Sequence, residues 1–181
     1  HMKICLFGAA SDAVDPAYLT AAEEFGASLA RRGHELVFGG GATGLMGAAA
    51  RGVRRAGGRL TGVAPRFFDR EGVLYQDCTE FIFTDTMRER KQIMEERSDA
   101  AVMTPGGIGT LEEFFEILTL RQLGQYHKPI AILNLQGYFD GLQILLETAV
   151  ERRFLEPEGL RLYGMFSDGE ALLDALEQEK I

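Results

Sequence analysis

Two charged residues are placed where chemistry could use them. Glu113 follows the turn "TPGGIGT", Thr104 to Thr110, by three positions. Arg90 lies in "TMRERKQIMEERS", where a helical period of about 100° per residue makes Met87, Ile93 and Met94 an apolar stripe, puts Arg90 in its middle and aims Arg97 the same way. A guanidinium that faces a core keeps its proton, so it must be paired or must line a polar cavity. The alternative is that its stem packs and its head reaches water. A carboxylate near that arginine, in the first turn of a helix, is expected to be held charged. Such a pair suits departure of a nitrogen base from a sugar. The carboxylate stabilises positive character at the anomeric carbon and orients a water, while the arginine orients the carboxylate, the ribose or the base. Arginine is no general acid, and no residue stands out as the proton donor to the leaving base.

Glu113 also has a structural reading. Thr110-x-x-Glu113 matches a capping box, a helix-start device contributing on the order of 1 kcal/mol. Thr86-x-x-Glu89 matches it equally well, so the pattern alone selects neither. Context separates them, because Glu113 opens the helix that follows a glycine turn. Three strand-like runs end in such small-residue turns: "FGAAS" with Gly8 and Ala9, "FGGGATGLMG" with Gly41, and "PGGIGT" with Gly106, Gly107, Ile108, Gly109 and Thr110. Tight turns and close helix packing would explain any one of them. Three at the same sheet edge point to backbone N–H groups cradling a phosphate. Gly39-x-Gly41-x-x-Gly44 has the spacing G-x-G-x-x-G, but the next strand, "RLTGVAP", offers no acidic residue for a dinucleotide's ribose, and no G-x-x-x-x-G-K-[ST] occurs, so a mononucleotide or sugar phosphate fits better than NAD or ATP.

The elements that must hold these residues alternate along the chain. "KICLFG" reads as strand, then Asp15 as cap and Pro16 as first residue of a helix to about Arg32. "ELVFGGG", "RLTGVAP", "TEFIFT", "DAAVMTP", "KPIAILN" and "LYGMF" read as strands. The helices between and after them include "LMGAAARGVRRA", one from Thr86, one from Thr110, one from Tyr138 and "ALLDALEQ". Nearly continuous apolar strands alternating with helices predict a Rossmann-like three-layer α/β/α sandwich with a mostly parallel central sheet. In such sheets ligands bind beyond the carboxyl ends of the strands. His1 before Met2 reads as an expression scar, and residues 2–181 as one domain.

Composition narrows the partners. The 181 residues are 46% hydrophobic and 25% charged, ordinary globular usage, and the formal net charge of −8 opposes nucleic acid and anionic membranes as partners. No apolar stretch approaches the ~20 residues that span a bilayer. The run Ile4 to Phe7 stops at Gly8, with Asp12 and Asp15 close behind, unlike a secretory leader. Cys5 and Cys78 form no metal-ligand spacing and read as reduced thiols, so a cytoplasmic protein without metal or cofactor is expected.

"GGGATGLMG", "TMRERKQIM" and "PGGIGTLEE", in that order, resemble the Lonely Guy (LOG) family of cytokinin riboside 5′-monophosphate phosphoribohydrolases, once mislabelled lysine decarboxylases. "LTLRQLG" and "HKPIAILN" extend the resemblance over nearly the whole chain. It implies hydrolysis of the N-glycosidic bond of adenosine 5′-monophosphates, often N6-substituted, to free base and ribose 5-phosphate. It implies Arg90 and Glu113 as catalytic residues, with Lys91, Gly107 through Thr110, and Thr119 as substrate contacts. Gly8, Ala9, Gly41, Gly106 and Glu112 complete the candidate binding set. Where the family commonly has Met-His, this chain has Met87-Arg88, which is expected to alter surface or subunit contacts. The resemblance assigns no base-recognition residue within 65–76. A pyridoxal-phosphate decarboxylase is disfavoured, since none of Lys3, Lys91, Lys128 and Lys180 sits in a cofactor motif. The rival class is a non-catalytic nucleotide or molybdenum-cofactor carrier of the same fold, and retention of both Arg90 and Glu113 favours the enzyme.

The helix from Thr110 also bears on assembly. Leu111, Phe114, Phe115 and Leu118 make one apolar face, and Ile117, Leu120 and Leu123 extend it around the other side. A helix on a sheet needs only one stripe. A homodimer with the site near the subunit interface is therefore expected, and the resemblance implies it independently.

Overall fold

The computed structural model describes residues 1–181. Seven parallel strands form one sheet: β1 (Lys3–Phe7), β2 (Glu35–Phe38), β3 (Leu60–Pro65), β4 (Glu80–Thr84), β5 (Ala100–Met103), β6 (Ile130–Leu133) and β7 (Gly164–Phe166). Their spatial order is β4-β3-β2-β1-β5-β6-β7, and all six pairings are parallel. The inner strands β5 and β6 are buried at every residue, while β4 and β7 at the edges are only partly so. That is why "AAVM" and "IAIL" are unbroken apolar runs.

Six α-helices cover the faces: α1 (Pro16–Arg31), α2 (Gly44–Arg55), α3 (Met87–Arg97), α4 (Ile108–Gln122), α5 (Asp140–Glu151) and α6 (Gly169–Glu177). One core joins α1, α2 and α6 to the sheet through Phe25, Leu29, Ala49, Val53 and Leu172. The other joins α3, α4 and α5 through Met94, Phe114, Ile117 and Leu146. Helix starts follow local chemistry. Asp15 accepts from the Ala17 N–H at 2.9 Å with Pro16 in the first position, and Thr86 Oγ1 accepts from the Glu89 N–H at 3.1 Å. Glu89 accepts in turn from the Asp85 N–H at 3.3 Å, one residue before the position a standard capping box uses.

The chain runs outward from β1 to β4, then returns to place β5 on the other side of β1. The strand order thus reverses between β1 and β5, the position where α/β sheets open a crevice at their carboxyl ends. The turns beyond those strands are stitched together, with the Ala9 N–H donating to Pro105 O at 3.0 Å and Thr104 Oγ1 donating to Phe7 O at 2.9 Å. The turn after β2 closes from the side. Gly44 has φ +71° and lies so close to the Ala9 carbonyl that a Cβ there would overlap it, so glycine is required on both grounds. No helix is long and apolar enough to cross a membrane.

Candidate active site

Arg90 is buried, with a side chain only 5% exposed, and faces the sheet from α3. Its Nε donates to the Val63 carbonyl at 3.0 Å, and its Nη1 lies 3.4 Å from Glu113 Oε1. The room for it comes from Gly39, where an added Cβ would fall onto Nη2. The arginine in the apolar stripe is therefore a paired group at the floor of a cleft. Its neighbours on α3 depart from the helical wheel. Met94 is buried, but Met87 is exposed at the cleft mouth, and Arg97 turns outward to Glu80 on the edge strand at 2.8 Å.

Glu113 approaches from α4. That helix begins two residues earlier than the sequence suggests, with Gly107 as N-cap and no side-chain cap bond. Thr110 is thus inside the first turn, and the Thr110–Glu113 capping box does not form. The glutamate is free of helix-end duty and turns to Arg90. Burial pushes its carboxyl above the ordinary glutamate range; the Arg90 charge and hydrogen bond work in the opposite direction without cancelling the effect. Arg90 thus favours the charged form, as expected from the sequence, but burial outweighs it. The ion pair is long and the carboxyl's surroundings are poorly solvated, so Glu113 holds a proton more readily than a surface glutamate.

A cleft of about 430 Å³ contains both groups and is lined also by Gly8, Ala9, Gly107, Gly109 and Thr110. Gly41 lines an adjoining compartment of about 310 Å³ that shares Arg90, and Gly106 lines a hollow of about 250 Å³ that shares Ala9 and Gly107. Ile108 is 89% exposed. Lys91, Glu112 and Thr119 do not line these spaces: Lys91 is held by Glu112 and Glu116, and Thr119 donates to the Phe115 carbonyl on the exposed side of α4.

The three turns are not equivalent as anion sites. At the start of α2 the Gly44 N–H is taken by Asp12 Oδ1 at 2.7 Å, and the Leu45 and Met46 N–H groups by the Ala9 carbonyl at 2.9 and 3.4 Å. The chain has capped that helix itself. The start of α4, which has no side-chain cap and opens into the cleft, keeps donors available for an anion. Residues that sequence reasoning missed complete the walls. Met46 and Phe68 line both the main cleft and the adjoining compartment, which also includes Val73 and Leu74. Met46 comes from α2, and the segment carrying Phe68, Val73 and Leu74 is strapped over the β2 turn, with the Ala42 N–H donating to Val73 O at 2.9 Å and the Tyr75 N–H to Gly40 O at 2.8 Å. No period marks that segment, so only the three-dimensional arrangement reveals its place. No group of three or more His, Cys, Asp and Glu residues is arranged to hold a metal ion.

Comparison with known proteins gives consistent results. The family model described as "Possible lysine decarboxylase" matches residues 46–176. A cytokinin riboside 5′-monophosphate phosphoribohydrolase of Mycobacterium tuberculosis is 44% identical over 142 residues, 78% of this chain and 76% of the relative. The rice protein LOGL5, named a probable enzyme of the same kind, is 36% identical over 97% of this chain and 72% of its own length. Arabidopsis LOG7 is 34% identical over 97% of this chain and 81% of its own. Among solved structures, the molybdenum cofactor binding protein of Rippkaea orientalis superposes with a TM-score of 0.74 at 22% identity, covering 99% of this chain and 97% of that one. The Moco carrier protein of Chlamydomonas reinhardtii does so with a TM-score of 0.73 at 24% identity, covering 98% of both chains. At those identities the likeness concerns the fold. By the extent of the family match and the identity to its named relatives, the chain belongs to the Lonely Guy family.

Proposed function

We propose that this protein hydrolyses the N-glycosidic bond of adenosine 5′-monophosphates, N6-substituted ones included, releasing free base and ribose 5-phosphate. One observation carries the reading: the Arg90–Glu113 pair lies in the same cleft as the uncapped start of α4. A 5′-phosphate on the α4 N–H groups would place the ribose over that pair. Water attacks C1′, the C1′–N9 bond breaks, and its electron pair leaves with the base. Glu113 stabilises the oxocarbenium-like centre and takes the proton of the attacking water. The departing base takes up a proton from solvent, and Glu113 later releases to solvent the proton it accepted, so the step balances without a second protein donor. No cofactor enters this chemistry. With both cysteines free, Cys5 buried and Cys78 partly so, the cytoplasm is the compartment we assign.

Incubation with AMP tests the reading, and adenine and ribose 5-phosphate should appear in equal amounts. Tight AMP binding with neither product would make the protein a carrier and sink the hydrolase assignment. The relatives' names concern cytokinin precursors, so N6-isopentenyl-AMP belongs in the same assay.

The active unit in this proposal is a homodimer, with the site near the interface. The core-facing side of α4 is made by Thr110, Phe114 and Ile117, and Phe115, assigned from the sequence to the first apolar face, turns outward. Ile108, Phe115 and Leu123, exposed by 89%, 37% and 64%, leave apolar surface that a second subunit would cover. Light scattering at low micromolar concentration is expected to give a dimer whose activity falls on dilution. A fully active monomer would refute this part of the proposal.

A further inference from the structure

Each carbonyl of the turn Pro105–Gly107 is held by a different element. Pro105 O accepts from the Ala9 N–H at 3.0 Å, Gly107 O accepts from the Leu111 N–H of α4 at 3.0 Å, and Gly106 O accepts from the hydroxyl of Tyr138 at 2.6 Å. The first two are backbone bonds. The third depends on one side chain, carried by the segment between β6 and α5. We propose that Tyr138 is a positioning residue, whose hydroxyl locks the Gly106–Gly107 peptide with its carbonyl turned away from the cleft and its N–H turned toward a bound phosphate. This inference rests on the phosphate-anchored hydrolase reading above.

The lock follows from peptide geometry. A trans peptide is planar, so the Gly107 N–H points opposite to the Gly106 carbonyl. Tyr138 and Gly106 line the hollow on one side of the turn, whereas Gly109 and Thr110 line the cleft that holds Arg90 and Glu113, and Gly107 lines both. A carbonyl aimed at Tyr138 therefore aims the N–H at the cleft, and that N–H has no partner within the chain. Reversing the peptide would present a carbonyl oxygen to the anion. Local sterics do little to prevent the reversal, since neither flanking residue has a Cβ and one added at Gly107 would meet no atom within 4 Å.

The chain specifies the place of Tyr138 closely. The residue is 49% exposed, yet its hydroxyl points inward, the reverse of a tyrosine that buries its ring and leaves the hydroxyl in water. Its ring meets Tyr18 of α1 edge-on, with centroids 6.3 Å apart. Behind it, Gln136 and Gly137 are both left-handed, with φ of 53° and 69°. Asn134, just after β6, clasps this bend by accepting from the Phe139 N–H at 2.6 Å and donating to Asp140 Oδ1 at 2.8 Å. A left-handed glutamine persists only where its surroundings hold it. Here they deliver the phenol to the glycine turn.

The test compares Tyr138→Phe with the unaltered protein. Phenylalanine keeps the ring and its contact with Tyr18 and removes only the hydroxyl, and circular dichroism checks that the variant is folded. A lock predicts that kcat/KM for AMP falls about tenfold, the effect of one weakened hydrogen bond to a charged group, while kcat/KM for adenosine changes less than about twofold. An equal loss on both substrates would make Tyr138 a general structural contact and overturn the proposal, as would a variant unchanged on both. Calorimetric titration with ribose 5-phosphate reads the lock without turnover. Its dissociation constant should rise about tenfold in Tyr138→Phe, and an unchanged constant would refute the lock. If the unaltered protein releases no base, the hydrolase reading fails. The lock is then judged by titration with AMP alone, upheld by weaker binding of about the same size in Tyr138→Phe and refuted by equal binding or by no binding to the unaltered protein.

Discussion

Glu113→Gln is expected to lower turnover at least ~100-fold while the protein stays folded. Glutamine preserves the shape of the side chain and an oxygen that can accept from Arg90 Nη1. It removes the charge that stabilises the oxocarbenium-like centre and the group that accepts the water's proton. Folding should tolerate the change because Gly107 is the N-cap of α4 and Glu113 contributes nothing to that cap. Two opposing effects bear on stability. A glutamate whose folded-state pKa is raised contributes stability that is complete below its unfolded value and is lost as pH rises through the raised one. Substitution by a neutral amide removes that loss at neutral pH. Against it, the buried guanidinium exchanges a carboxylate for a weaker acceptor while keeping the Val63 carbonyl. The melting temperature should therefore shift by only a few degrees, and a fall in kcat without unfolding would be read as chemistry. Near-normal turnover would leave Glu113 a structural residue. Arg90→Ala should lose activity comparably, with some loss of stability because it opens a hole beside Gly39. Arg88→Ala, at an exposed position, should be mild.

The parallel architecture was legible because β1, β5 and β6 are buried on both faces and so had to be unbroken apolar runs. Arg90 was legible for the converse reason: a permanent charge in an apolar stripe has few stable explanations. What escaped the sequence depends on partners supplied by distant chain. Asp12 caps the start of α2 from 32 residues away, which removes that turn from the anion sites. Thr110 loses its expected capping role because the glycine turn continues into helix earlier, at Ile108. Arg97 follows the stripe on a helical wheel, yet α3 ends beside the sheet edge, where Glu80 and water draw the side chain out. The walls contributed by Phe68, Val73 and Leu74 come from a segment whose place is fixed by backbone bonds to the β2 turn, and backbone bonds leave no mark on side-chain periodicity. Lys91 was carried over by resemblance as a substrate contact, and its two carboxylate partners appear only once α4 lies beside α3.

The second large effect concerns the phosphate. If the start of α4 anchors a 5′-phosphate, binding energy from that group positions C1′ between Arg90 and Glu113, and a substrate without it should lose kcat as well as affinity. AMP should therefore exceed adenosine in kcat/KM by at least ~1,000-fold, since several backbone hydrogen bonds to a dianion are lost together and the orientation they impose is lost with them. Free inorganic phosphate should restore only a small part of the adenosine rate, because an untethered anion cannot hold the ribose. The measurement is the rate of adenine release from AMP and from adenosine at equal concentration, by the same enzyme in the same buffer. A large preference for AMP, with ribose 5-phosphate as co-product, is the result predicted by a cleft that joins the uncapped helix start to the Arg90–Glu113 pair. Equal rates from the two substrates would contradict it.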